Sequence, residues 1–204
     1  MAFYKQYDLQ AEYVGNPVLD AIKAHKRDNS FLENHGLSKD KKLVALLPGS
    51  RKLELKLIVP LMAEIAAAHP DIQFVVAAVN NLTQDLYLPL NGKSNVTFVE
   101  GETYHLLGHA DAAIVTSGTA TLETALFKVP QVVVYKTSGL EYLIVRSLIK
   151  VKFISLVNLI ADKQVVREMI QHAATNELVS AELMKLLNDT AYNSSMKMEY
   201  DKLY

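Results

Sequence analysis

Short apolar runs separated by helical patterns constrain this chain more than any other feature. The run LVALL at 43–47 is stopped by Pro48-Gly49, and IQFVVAAV occupies 72–79. Further runs stand at 96–99, 112–115 and 131–135 (QVVVY). Leu55, Ile58, Val59, Met62, Ile65 and Ala66 recur between the first two runs at helical spacing and end near His69-Pro70. Pro60 falls inside that pattern, so this helix either starts late, with Pro60 in its first turn, or kinks there. Shorter helices are expected over 82–90, 104–109, 119–127 and 140–148, with an apolar stretch at 153–156. Strands that are continuously apolar belong to a parallel sheet covered on both faces. Right-handed crossovers then give an α/β fold, a Rossmann-like doubly wound parallel sheet. The runs at 112–115 and 131–135 should be neighbouring or near-neighbouring parallel strands.

The two ends differ from this middle. Residues 1–40 form a helical lead-in, with helices near 18–27 and 31–35 and no strong strand. Residues 41–190 form the Rossmann-like domain. Residues 191–204 form a polar tail that stops as a helix begins, so the chain reads as cut there.

Composition closes several routes. Basic and acidic residues number 21 and 22, a balance that points away from nucleic acid. The absence of cysteine excludes disulfides and thiol catalysis. His105 and His109 could share a helix face, but no nearby carboxylate completes a zinc pattern, so neither a metal nor a cofactor is expected. The N-terminus lacks the apolar core of a signal peptide. The most membrane-like stretch, 142–160, is interrupted by Arg146, Lys150 and Lys152. Those cations suit either a helix lying on an anionic bilayer or a solvated helix face.

Two loops carry the chemistry. In the first, LLPGSRKLE at 46–54, Gly49 lets the backbone approach closely, Ser50 can cap a helix, and Arg51 offers a planar fork to phosphate oxygens. In the second, Ser117, Gly118 and Thr119 open a helix, whose free N–H groups and dipole favour an anion. Glu123 lies four residues after Thr119 on the same helix face, where it could accept both hydroxyls of a ribose. Serine and threonine also cap helices with no ligand in view. Neither loop is a P-loop or a G-x-G-x-x-G fingerprint. Periodicity and spacing stop at a Rossmann-like domain with a nucleotide or phosphate ligand.

Taken together, EYVGNPVLD (12–20), LLPGSRKLEL (46–55), SGTATLETAL (117–126), PQVVVYK (130–136), LIKVKFISLVNLIAD (148–162) and VVREMIQ (165–171) resemble the C-terminal half of the lipid-A-disaccharide synthases, glycosyltransferases of GT-B type. The resemblance implies a UDP-sugar-binding domain for UDP-2,3-diacylglucosamine. The whole enzyme moves the diacylglucosamine to 2,3-diacylglucosamine 1-phosphate and forms a β-1,6 disaccharide of lipid A. It works in the cytoplasm, peripheral to the inner membrane. Arg51 and the loop at 117–119 would meet the diphosphate, with Ser50 beside them, and Glu123 the ribose. Asn158, Glu168 and Gln171 would line the sugar or diphosphate side. The lipid acceptor and the proposed catalytic base belong to an N-terminal domain outside this chain, so the chain alone should be inactive. Asn16, Val157 and Arg167 depart from the family pattern, which has His, Pro and Pro there. A UDP-sugar 2-epimerase-like domain and a stand-alone nucleotide-binding module are the alternatives.

Overall fold

The computed structural model describes residues 15–137 and 152–203, together with Tyr7, Gln10 and Glu12. Two lead-in helices, α1 (Pro17–Ala24) and α2 (Phe31–Asn34), precede the sheet. The Asn16 side chain caps α1, its Oδ1 accepting from the Val18 N–H at 3.1 Å. Six parallel strands follow: β1 (Leu43–Leu47), β2 (Gln73–Ala78), β3 (Val96–Glu100), β4 (Ala112–Thr116), β5 (Gln131–Tyr135) and β6 (Arg167–Ile170). Their order is β3-β2-β1-β4-β5-β6. Every pairing is parallel, including the expected one of β4 with β5, where Val115 stands opposite Val133.

The continuous apolar runs are explained by two cores, one on each face. Val44, Leu46, Phe74, Val76 and Ile114 enter one core; Leu43, Ala45, Leu47, Val75 and Val115 enter the other. Successive side chains of a strand alternate faces, so a strand buried on both must be apolar throughout. Each large aliphatic side chain buried this way contributes about 1.5–3 kcal/mol.

The helix α3 (Lys52–Ala68) joins β1 to β2 and starts well before Pro60. Pro60 and Lys56, whose carbonyl loses its helical donor there, both lie on the exposed side. The 82–90 segment becomes a 3-10 helix over Gln84–Leu90. Next come α4 (Thr103–Leu107) after β3 and α5 (Thr119–Leu126) after β4. The helix expected at 140–148 lies outside the described residues. No strand forms at 153–156; instead Ser155 caps α6 (Leu156–Ala161), its hydroxyl accepting from the Asn158 N–H.

The sixth strand was not legible as a strand. In β6, at the sheet edge, only Met169 is buried, and its Arg and Glu interrupt the apolar pattern. After β6 come α7 (Asn176–Asn188) and α8 (Thr190–Tyr200), the second built mostly from the tail. Met196 and Tyr200 of α8 are buried in the core of α3 and α7, and the Tyr200 hydroxyl accepts from Gln131 Nε2. Among the described residues, no helix is long and apolar enough to cross a membrane.

Candidate functional site

The strand order reverses between β1 and β4, and the loops leaving their carboxyl ends part to form a crevice. A cleft of about 560 Å³ lies there. Gly49, Ser50, Arg51 and Glu54 form one wall, and Thr116 to Ala120 with Glu123 form the other. Ile154 and Leu156 border it, as does Thr103.

The second loop opens toward this space. The Ser117 N–H continues the sheet by donating to Val134 O at 3.2 Å, and its hydroxyl donates to Ile154 O at 2.8 Å. Ser117 is therefore tied to the protein through both groups. The hydrogen-bond ladder of α5 begins with the Thr121 N–H, which donates to Gly118 O at 3.2 Å. The Thr121 hydroxyl donates to the same carbonyl at 2.8 Å. The amides of Gly118, Thr119 and Ala120 precede that ladder and have no partner within it. A Cβ placed on Gly118 meets no atom within 4 Å, so the space above the helix start is clear. Below it, the Thr116 hydroxyl is buried without a hydrogen-bond partner.

Glu123 stands one turn further along α5, half-buried. Tyr104 of α4 donates its hydroxyl to Glu123 Oε1 at 2.9 Å. Burial, and then the hydrogen bond and charge of Glu123, push this phenol up to about 12. It stays a donor at neutral pH and fixes the carboxylate, leaving Oε2 for another donor. Tyr104 is packed in turn against His25 and Phe127, with ring centroids 5.7 and 5.2 Å away.

The first loop is closed by its own carboxylate. Glu54 Oε2 accepts from the Ser50 and Arg51 N–H groups at 3.1 and 3.2 Å. Arg51 Nη1 donates to Glu54 Oε1 at 3.3 Å. The capping expected of Ser50 is thus carried out by Glu54. Gly49 turns with φ 100°, and a Cβ there would run into the Glu54 carboxylate. Arg51 is 83% exposed at the edge of the cleft, with one guanidinium nitrogen held by Glu54.

The other three expected residues do not line the cleft. Asn158 is fully buried, and its amide is spent on Val165, Val166 and Glu168. Glu168 accepts from the Ile154 and Ser155 N–H groups, the Ser155 hydroxyl and Asn158 Nδ2, at 2.7–3.0 Å for the shortest bond of each. Gln171 makes a reciprocal pair with the Thr137 backbone at 3.2 and 3.3 Å. Asn158 and Glu168 brace the loop whose Ile154 carbonyl receives Ser117. Of the departures from the family pattern, Val157 is buried in α6 and Arg167 is exposed on β6.

The histidines diverge. His109 Nε2 donates to Asp28 O at 2.7 Å and its Nδ1 accepts from Arg27, whereas His105 lies against His25 with ring centroids 4.5 Å apart. Among the described residues, no group of three or more candidate ligands gathers to hold a metal. Arg146 and Lys150 lie outside the described residues. Lys152 is exposed, its ammonium 5.7 Å from the Phe153 ring centroid.

Glu54 and Tyr104 were not expected from the sequence. Glu54 follows Ser50 by four residues, the same spacing that singled out Glu123 after Thr119, so a signal existed. Tyr104 had none, because only the fold brings it to Glu123.

The family of lipid-A-disaccharide synthetases matches residues 1–203. The lipid-A-disaccharide synthase of Syntrophus aciditrophicus (strain SB) is 39% identical over 207 residues, covering 98% of this chain and 54% of that protein. The chain thus spans about half the length of the curated relatives it matches. Among solved structures, a putative UDP-N-acetylglucosamine 2-epimerase from Listeria monocytogenes aligns with TM-score 0.59 and 17% identity, over 90% of this chain and 49% of that one. WaaG, a glycosyltransferase involved in lipopolysaccharide biosynthesis, aligns with TM-score 0.53 and 15% identity, over 86% and 48%. These two likenesses are of fold alone.

Proposed function

The chain belongs to the lipid-A-disaccharide synthetase family, and we propose that it holds the nucleotide-sugar donor for such an enzyme. The observation that carries this reading is the open helix start at Gly118–Ala120 with Glu123 one turn beyond it. A diphosphate accepts hydrogen bonds from the free amides and is favoured by the helix dipole. The free Glu123 oxygen takes the ribose hydroxyls, and Arg51 swings across from the opposite wall. The loop braced by Asn158 and Glu168 shapes the sugar side through Ile154 and Leu156.

In the whole protein the donor is UDP-2,3-diacylglucosamine and the acceptor 2,3-diacylglucosamine 1-phosphate, met at the cytoplasmic face of the inner membrane. The acceptor's 6-hydroxyl oxygen attacks the sugar's anomeric carbon, and its proton passes to a base. The bond to UDP breaks, and UDP leaves with the electron pair. Holding both substrates in line supplies up to roughly 7–11 kcal/mol of the barrier. This chain carries one half of that arrangement, so by itself it binds the donor without turning it over.

Calorimetric titration of UDP and UDP-N-acetylglucosamine into the 204-residue chain tests the reading. Saturable binding of both, with no lipid disaccharide formed from the full substrates, is expected. A folded chain that binds neither nucleotide would sink the donor assignment. Disaccharide above a no-protein control would overturn the claim that a second half is required.

A further inference from the structure

The two walls of the cleft differ in a way that the donor-binding reading does not require. Each presents a glycine turn entering a helix, and each has a glutamate five residues after the glycine: Gly49 with Glu54, Gly118 with Glu123. The helices begin at different distances from those glycines. α3 begins at Lys52, so Glu54 is its third residue, whereas α5 begins at Thr119, so Glu123 is its fifth. A carboxylate at the third position reaches back to the amides at the helix start. One at the fifth lies further down the helix.

The consequence is chemical. Glu54 Oε2 takes the Ser50 and Arg51 amides, and Oε1 takes one Arg51 guanidinium nitrogen. The side chain is only 16% exposed and lies where a Cβ on Gly49 would go. The equivalent third residue of α5 is Thr121, whose hydroxyl donates to Gly118 O and leaves the amides open. One elbow holds an anion of its own; the other has none.

We propose that Glu54 determines where in the cleft a phosphate is held. Its carboxylate fills the anion pocket of the first elbow and thereby directs the diphosphate to the second. The first elbow then contributes only the Arg51 side chain. This rests on the donor-binding reading of the same cleft and adds a specificity-determining residue to it. The closed elbow also places a fixed negative charge on the wall opposite the diphosphate. A ligand with further phosphates would meet Glu54 instead of a second set of donors.

Backbone amide NMR of the full 204-residue chain, titrated with inorganic pyrophosphate, tests this. In the unsubstituted protein, Gly118, Thr119 and Ala120 should shift while the Ser50 amide, held by Glu54, stays near its starting position. Glu54→Ala should release the Ser50 and Arg51 amides, which then shift as a second equivalent of pyrophosphate binds. Glu54→Gln keeps an acceptor oxygen and should leave the first elbow closed, which also covers the case in which the alanine variant folds poorly. The proposal falls if the Ser50 amide shifts in the unsubstituted protein as much as those of Gly118–Ala120. It also falls if Glu54→Ala opens no second site, or if Glu54→Gln opens one as alanine does. Silence at Gly118–Ala120 would instead sink the assignment of the cleft itself, which keeps the two failures apart.

Discussion

The loops after β1 and β4 share a sequence grammar, yet one is closed and the other open. In both, a buried strand runs into a glycine, a hydroxyl residue and a helix. At Gly49–Glu54 the polar groups satisfy one another across the helix start. At Gly118–Glu123 the carboxylate is held by Tyr104, and the amides of the cleft-lining Gly118, Thr119 and Ala120 precede the helical hydrogen-bond ladder. The lesson is that a glycine-rich turn at a strand end is not in itself an anion site. The helix register decides whether the first-turn donors have already been used.

The largest effect is expected from removing the platform of the open loop. Val133 is fully buried in β5, next to the Val134 whose carbonyl receives Ser117, and its register partner on β6 is Glu168. Val133→Asp places an unpaired charge in the core opposite a like charge. The expected loss is on the order of 4 kcal/mol or more, read as a large drop in Tm. A variant that melts like the parent would refute the strand register.

The glycines sharpen the contrast. Both have positive φ, 100° at Gly49 and 158° at Gly118, so a side chain at either is strained by about 1–3 kcal/mol. Only at Gly49 does a clash with Glu54 add to it. Gly49→Val should therefore lose more stability than Gly118→Val, whereas Gly118→Val should lose UDP binding. Thermal melts paired with UDP titration give both readouts, and the reverse ranking would invert the assignment of the two loops.

Smaller effects separate the ligand's parts. Glu123→Ala should weaken UDP by about 10- to 150-fold, from losing roughly 1.5–3 kcal/mol of charged hydrogen bonding, and leave pyrophosphate unchanged. Tyr104→Phe should weaken UDP by only about 2- to 10-fold, since one neutral donor to the carboxylate is lost. Arg51→Ala should weaken both ligands and flatten their salt dependence. Equal losses for UDP and pyrophosphate in Glu123→Ala would remove the ribose role.

The mildest test is pH. Burial, then the neighbouring His105, hold the His25 imidazole below its ordinary value of 6.5. The unfolded chain therefore takes up that proton first as pH falls. Stability from this group is present above about pH 6.5 and is lost as pH drops toward the lower folded-state value. His25→Phe, which keeps a ring against Tyr104, should flatten this part of the Tm profile between pH 7 and 5. An unchanged slope would assign the acid sensitivity to other groups.

Much was legible in the sequence because burial on both faces forces a strand to be apolar throughout, and that signal is local. β1, β2, β4 and β5 appear where their runs stand, and the two loops that wall the cleft were found from their glycines and hydroxyls. β6 was not legible, because an edge strand with one buried residue has no such requirement. Asn158 and Glu168 were visible as polar residues in suggestive segments, but only the fold shows their bonds directed into the loop at 154–166. Tertiary structure alone decided which carboxylate caps a helix and which stands clear. A shift of two residues in where a helix begins, relative to its glycine, moves the same Gly-to-Glu spacing from a closed elbow to an open one. Tyr104 reaches Glu123 from a different helix across the fold. Local spacing in the sequence carries neither piece of information.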